Sequence, residues 1–275
     1  LRKAYGWIYA IAIGQHDMRI IKEPEVYLVG KQNIDNNELS RFLKDHDVDK
    51  WETDTDVAGQ KLSEVAGRLC YMSFAKPRPG GNSVYTNHIL EVGHGSVLEH
   101  AVWNFIISGV SRSFTHELIR HRAGFGFSQL SQRFVDESVA DFIEPQCIAS
   151  DPIAHEAWLS VINACQEGYQ KLVTILSSKF ANEQDKTLQR KLARQAARSV
   201  LPNATETKIF VTANARALRH FFELRGSVHA EVEIRKVAVL MLKIMQKEAP
   251  NIFADFEIFG QDENDPIIRT NYHKV

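Results

Sequence analysis

The sequence predicts a single α+β domain with a mixed or antiparallel sheet flanked by long helices. Three observations lead there. Segments rich in β-branched and aromatic residues recur at Val26–Gly30, Ala101–Val110 and Lys208–Thr212, the composition of strands buried on at least one face. Around them run helix-length amphipathic stretches, the longest from His155 to Asn182. Their order lacks regular strand-helix alternation, which argues against a doubly wound parallel sheet.

Size and composition fit that class. The chain has 275 residues, 44% hydrophobic and 24% charged, enough for a real core and too apolar for disorder. Thirty-three Lys+Arg against thirty-four Asp+Glu leave a net charge of -1, so a wholesale grip on nucleic acid or anionic lipid has no global basis. Cys70, Cys147 and Cys165 are few and widely spaced. They fit neither a disulfide framework nor a paired thiolate metal site, and a reducing cytoplasm is the expected location. No apolar run reaches the roughly 18 residues of a membrane span. Ala4–Gly14, behind Arg2 and Lys3, superficially resembles a signal sequence, but no small-residue cleavage site follows. Residues 1–17 are therefore read as an N-terminal extension ahead of Met18, and 18–275 as the domain.

Each element has a local reason. Lys61–Phe74 places Leu62, Val65, Ala66 and Leu69 at i, i+3, i+4 and i+7, an apolar helix face expected to point inward. The run KPRPGGNS then breaks the chain, and a second helix runs from about Ser83 to Gly93. Ser111 is placed to cap a helix Arg112–Arg120 after the strand Ala101–Val110. A helix from Lys186 ends before Pro202, since the residue preceding proline is pushed out of helical geometry. The strand Lys208–Thr212 feeds a helix Ala213–Leu224 closed by Gly226, and a last long helix covers His229–Glu248.

Five of the eleven histidines fall between His88 and His121, so metal binding is the first chemistry to test. HELIRH at His116–His121 misses the zinc-protease spacing by one residue. Residues five apart on a helix differ by about 140° and face apart, and Arg120, at the ligand position, cannot ligate. No metal is expected. Arginine is more informative. Arg120, His121 and Arg122 close a helix, two glycines in AGFGF (Ala123–Phe127) stop it, and Ser128–Arg133 is expected to run extended. That geometry would align Gln129, Ser131 and Arg133 on one side, a surface suited to a phosphate and a planar polar ring. Arg190, Arg194 and Arg198 form a basic stripe at i, i+4 and i+8, equally readable as a solvated helix face. Asn214 and Arg216 open a helix whose free amides suit anions, with His220 and Arg225 on its later turns. From the residues alone this is a site for an anionic, ring-containing ligand. An RNA-binding module stacking bases on Phe125 and Phe127 would use the same arginines, but near-zero net charge and the lack of a named RNA motif count against it.

RHRAGFGFSQLSQRF (Arg120–Phe134) resembles the arginine-histidine-arginine motif of the flavin-dependent thymidylate synthases. GHGSVLEHA, SRSFTHELIRHR, ARQAARSVLPNATET and NARALRHFFELRGSVHAEVEIR resemble other family segments in the family's order, over about Gly59–Ile258. One departure is an extra residue in the loop Ala123–Leu130, which the glycines could absorb. The resemblance implies FAD contacts at Ser96, Arg120, His121, Arg122, Gln129, Asn214, Ala215, Arg216 and His220. It implies deoxyuridine monophosphate (dUMP) contacts at Glu117, Leu118, Ile119, Arg120, Gln129, Leu130, Ser131, Gln132, Arg133, Arg198 and Arg225. Arg225 is the implied catalytic residue, activating uracil without an enzymatic cysteine. The implied reaction is reductive methylation of dUMP to dTMP, with methylenetetrahydrofolate donating the carbon and NADPH reducing FAD. Homotetramers with active sites at subunit interfaces are implied as well. A flavoprotein of the same fold with altered methyl transfer is the enzymatic alternative.

Overall fold

A computed structural model describes residues 18–48, 50–75, 79–260, 266–273 and 275. The proposed extension, residues 1–17, lies outside the described residues. In chain order the elements are β1 (Ile20–Ile21), β2 (Glu25–Lys31), α1 (Asn36–Asp45), α2 (Ala58–Tyr71), α3 (Gly81–Glu91) and, after a 3-10 turn at Gly95–His100, β3 (Val102–Ser111). There follow α4 (Arg112–Leu118), β4 (Phe125–Gln129), β5 (Phe142–Ile143), α5 (Gln146–Ala149), α6 (Pro152–Lys179) and α7 (Lys186–Ala197). The chain closes with β6 (Glu206–Asn214), α8 (Ala215–Arg225), α9 (Val232–Glu248), α10 (Pro250–Phe253), β7 (Glu257–Phe259) and β8 (Ile267–Arg269). The mixed helix and sheet content is the expected class. Among the described residues no helix is long and apolar enough to cross a membrane.

The largest sheet has four strands in the order β2-β3-β6-β4. Strand β4 pairs antiparallel with β6, from Asn214 N–H to Gly124 C=O (3.0 Å) at one end to Leu130 N–H to Lys208 C=O (2.9 Å) at the other. Two compact units share the strands. One comprises the chain up to Glu25, Ile107–His116 and Ser128–Ile209; the other comprises Val26–Ile106, Glu117–Phe127 and Phe210–Val275.

In the first unit, β1 pairs parallel with β5 over a core of Ala140, Phe142 and Ile162. Helix α6 starts on Asp151, whose carboxylate accepts from the Ile153 and Ala154 amides, with Pro152 in the first turn; both choices suit a helix N-terminus. In the second unit, Trp103 and Phe222 each meet Phe253 edge-on, at 6.1 and 5.7 Å. A Cβ at Gly59 would lie 2.8 Å from Trp103, so glycine lets α2 approach β3.

Two expectations fail here. Helix α2 was expected to bury Leu62, Val65, Ala66 and Leu69. It instead buries Gly59, Gln60, Ser63, Glu64, Gly67 and Arg68. Val65 packs only partly against a small cluster of Leu43, Val48, Trp51 and Phe74, while Leu69, Tyr71 and Met72 are exposed, Tyr71 by 76%. The inversion is chemically satisfied. Glu64 and Arg68, 3% and 4% exposed, form an ion pair at 2.6 Å. Thr53 and Asn82 also donate to Glu64, at 2.7 and 2.8 Å. Second, α4 ends at Leu118 rather than Arg120, because the Arg120 and His121 amides turn back to the Glu117 and Leu118 carbonyls at 3.2 and 3.0 Å.

Candidate active site

In the second unit the chemistry gathers around Arg225, the last residue of α8. Its Nη1 donates to Glu117 Oε2 at 2.8 Å and its Nε to His121 Nε2 at 3.0 Å, with a longer contact from Nη2 to the Glu117 carbonyl. Arg225 lies more than one hundred positions along the chain from both partners. Because Arg225 can only donate, His121 Nε2 must carry a lone pair. His121 is buried between Phe125 and Phe221, with ring centroids at 5.7 and 5.2 Å. Burial pulls its pKa down to about 4, and the positive charges of Arg225 and His220 push the same way. The ring is therefore neutral at pH 7.

That depression has a stability consequence. Between the ordinary histidine pKa of about 6.5 and the folded value near 4, the unfolded chain binds a proton that the folded one does not. Stability is present above pH 6.5 and lost as pH falls, by about 2 kcal/mol down to pH 5. His121→Gln, which can still accept from Arg225, is expected to show a shallower fall in melting temperature from pH 7 to 5. A fall as steep as wild type would refute the assignment.

The residues around this core are presented differently. Arg120 and Arg122 are exposed and make no side-chain hydrogen bond or ion pair among the described residues. Asn214 caps α8, accepting from the Ala217 amide at 2.8 Å. Arg216 Nη1 bonds Glu99 at 2.6 Å, and a Cβ at Gly95 would lie 3.2 Å from Arg216 Nε, so glycine leaves room beside this guanidinium. Ser96 and His220 are exposed. The side chains of Leu118 and Ala215 are fully buried, which limits either residue to main-chain contact with a ligand; Ile119 is exposed.

In the first unit, Gln129 donates to the Thr115 and Thr207 hydroxyls at 3.0 and 3.3 Å. The expected extended run Ser128–Arg133 does not form. The strand is Phe125–Gln129, and the chain turns at Ser131, whose carbonyl accepts from Phe134 and Val135 at 3.1 and 3.0 Å. The Ser131 hydroxyl accepts from the Arg133 amide at 3.4 Å, a local bond that competes with extension. Gln129, Ser131 and Arg133 thus do not share a strand face. Gln132 Nε2 and Arg133 Nε are buried with no partner among the described residues.

The basic stripe also divides. Arg194 is committed to the Phe134 carbonyl and Asp136 at 2.7 Å each, Arg190 is exposed, and Arg198 sits on a 3-10 turn after α7. The pKa of Arg112 is lowered by burial, with the charge of Glu137 raising it and that of Arg198 lowering it further. Ser111, just before Arg112, accepts from the Phe114 amide at 3.0 Å as expected.

The long loop is accommodated at its start. From Gly124 to Leu130, and from Lys208 to Asn214, each strand advances six residues between the two bonded ends. The register between these two bonds therefore holds no bulge. Gly124 adopts φ +73°, and a Cβ there would meet Asn214 Nδ2 at 2.7 Å; both facts require glycine.

The buried histidine bonded to Arg225 in one unit, and the buried donors of Gln132 and Arg133 in the other, are each chemically suited to a polar or anionic ligand. Comparison narrows this. The family model described as thymidylate synthase complementing protein matches residues 53–251, and the chain belongs to that family, the flavin-dependent thymidylate synthases. It is 49% identical over 221 residues to the flavin-dependent thymidylate synthase of Mycobacterium marinum, covering 80% of this chain and 87% of that one. It is likewise 49% identical over 221 residues to the enzyme of Corynebacterium diphtheriae, at 79% and 87% coverage. The crystal structure of a UMP/dUMP methylase, PolB from Streptomyces cacaoi, bound with 5-Br dUMP, superposes with a TM-score of 0.60. It covers 86% of this chain and 95% of that one at 20% identity, a likeness of fold.

Proposed function

We propose that this protein catalyses the reductive methylation of dUMP to dTMP, taking the carbon from methylenetetrahydrofolate and reducing equivalents from NADPH through FAD. The observation that carries the reading is the Arg225, Glu117 and His121 linkage, which joins two separated blocks of the family's sequence pattern at the residue expected to act on uracil. The donor set fits both ligands: unpaired Arg120 and Arg122 suit the flavin's phosphates, and the buried orphan donors of Gln132 and Arg133 suit the substrate's.

FAD, when bound, supplies the redox chemistry. The protein's part is orientation and charge. Glu117 and His121 hold Arg225 so that its remaining N–H groups meet the uracil edge, where they favour negative charge developing at N3 or O4 and make carbon 5 a better nucleophile. Neutral His121 matters to this, because an imidazolium would repel the guanidinium it positions. Arg133 and Arg198 take the phosphate. Ser96, Gln129, Asn214 and Arg216, with His220, help hold the flavin. Assembly as a homotetramer, each active site drawing residues from more than one copy, is what the family resemblance implies, and the exposed apolar side chains of Leu69, Tyr71 and Met72 at the C-terminal end of α2 are available to such an interface.

The test is formation of dTMP by purified protein supplied with FAD, NADPH, methylenetetrahydrofolate and dUMP, with each omitted in turn. Flavin-loaded protein that yields no dTMP would end the proposal. A cysteine nucleophile is not required in this scheme. Cys70 and Cys147 are exposed and Cys165 is partly buried, and serine at each is expected to leave turnover within about twofold, read by the same assay. A folded single variant without activity would contradict it.

A further inference from the structure

We propose that Thr115 and Thr207 are positioning residues of the nucleotide site: their buried hydroxyls lock the Gln129 amide so that it meets the ligand only as a hydrogen-bond acceptor. The inference rests on the reading above that the protein binds dUMP. It adds two residues that neither the resemblance nor the motifs assign, and it fixes which end of Gln129 the ligand meets. Every group involved lies in the first unit.

The two ends of a carboxamide have nearly the same shape, so which of them faces a ligand is decided by its hydrogen-bonded neighbours. Here the neighbours decide it. Thr115, on α4, donates its hydroxyl proton to the Arg112 carbonyl one turn back at 2.9 Å, a bond open to threonine in a helix. That oxygen can then only accept. The amide end that meets it at 3.0 Å must be the nitrogen of Gln129, since a carbonyl there would set lone pair against lone pair. The second hydrogen on Nε2 has its own acceptor in the Thr207 hydroxyl of β6, at 3.3 Å. Thr115 and Thr207 are 2% and 0% exposed, so bulk water does not compete for either oxygen. Two donors meet two acceptors, and the nitrogen end is fully used.

The other end is free. Gln129 Oε1 makes no hydrogen bond among the described residues, and the side chain is half-buried at the end of β4. A glutamine that turned freely would serve a donor or an acceptor equally and select neither. A locked one favours a ligand that brings an N–H or O–H to this point, and leaves a ligand that brings a lone pair there without a partner. The donors dUMP carries are the ring N3–H and the sugar 3′-hydroxyl, and the chemistry of the contact is the same for either. Thr115 and Thr207 act on the ligand only through Gln129.

The experiment is equilibrium binding to protein saturated with FAD, by calorimetry for dUMP and by competition against dUMP for two nucleotides that each lack one donor: dCMP, whose ring N3 carries a lone pair, and 2′,3′-dideoxyuridine monophosphate. Thr115→Val keeps the shape and removes the anchoring oxygen. It is expected to weaken dUMP binding about 5- to 10-fold, the loss of one oriented hydrogen bond, and Thr115→Ser, which keeps the hydroxyl, to restore it. The readout that a merely structural role would not move is non-additivity. For the nucleotide that lacks the donor facing Oε1, Thr115→Val is expected to cost nothing further, while the other nucleotide weakens as dUMP does. Equal weakening of all three, or unaltered dUMP affinity, overturns the inference while dUMP binding stands. If Thr115→Val does not fold, Thr207→Val carries the test, with an expected loss of about threefold through the longer bond and the same pattern across the nucleotides; equal loss for all three overturns the inference there too. Wild-type protein that binds none of the three overturns the functional reading itself.

Discussion

Arg225→Ala is expected to retain FAD and lose thymidylate formation by about 1,000-fold, the order seen when a donor that stabilises transition-state charge is removed. The geometry explains the separation of the two effects. Arg225 meets Glu117 and His121, whereas the exposed Arg120 and Arg122 proposed for the flavin make no bond to it. Flavin absorbance after gel filtration and dTMP formation on the same sample give the two readouts. Unimpaired turnover would remove Arg225 from the chemistry, and loss of flavin with turnover would make it a binding residue instead. Arg225→Lys keeps the charge but cannot bond Glu117 and His121 together in the same plane, so it is expected to recover little.

Glu64→Ala is expected to cost about 3–5 kcal/mol of folding stability, the largest effect of any substitution away from the active site. It leaves Arg68 buried without its counter-charge, 2.6 Å from where the carboxylate stood, removes the acceptor of the Thr53 hydroxyl, and leaves the Asn82 amide only its longer bond to the Gln60 carbonyl at 3.2 Å. Arg68 keeps one bond, to the Ser73 carbonyl at 3.1 Å, and the rings of Trp51 and Tyr85 at 5.8 and 5.2 Å. Neither replaces the carboxylate. Denaturant unfolding followed by circular dichroism measures the loss. The double variant Glu64→Leu/Arg68→Leu is expected to be less destabilised than Glu64→Ala, because no unpaired charge remains; the opposite order would show that the pair contributes more than its desolvation costs.

What the sequence made legible was local. Ser111 caps α4 by accepting from the Phe114 amide, as its position after a strand predicts. Such signals need only their own neighbourhood. The orientation of α2 was hidden because its buried polar face is satisfied from far away: Gln60 bonds the Asn251 amide, 191 residues along the chain, and Glu64 relies on Thr53 and Asn82. Without those partners visible, the apolar face is the reasonable one to bury. The turn at Ser131 was missed because one side-chain bond to the Arg133 amide overrides the extended tendency of its flanks. In the candidate site, the family pattern named Arg225, Glu117 and His121 separately; their mutual bonding is a property of the fold.

The regular pairing after Gly124 has an evolutionary corollary. Side chains along a strand alternate between two faces, so one residue gained within β4 would send Gln129 to the opposite face, away from Thr115 and Thr207. A residue gained upstream of Gly124 changes the circumference of the turn and leaves that parity intact. Changes of length that keep Gln129 on its face are therefore expected ahead of the glycine, whereas behind it a single added residue would need a bulge to absorb it.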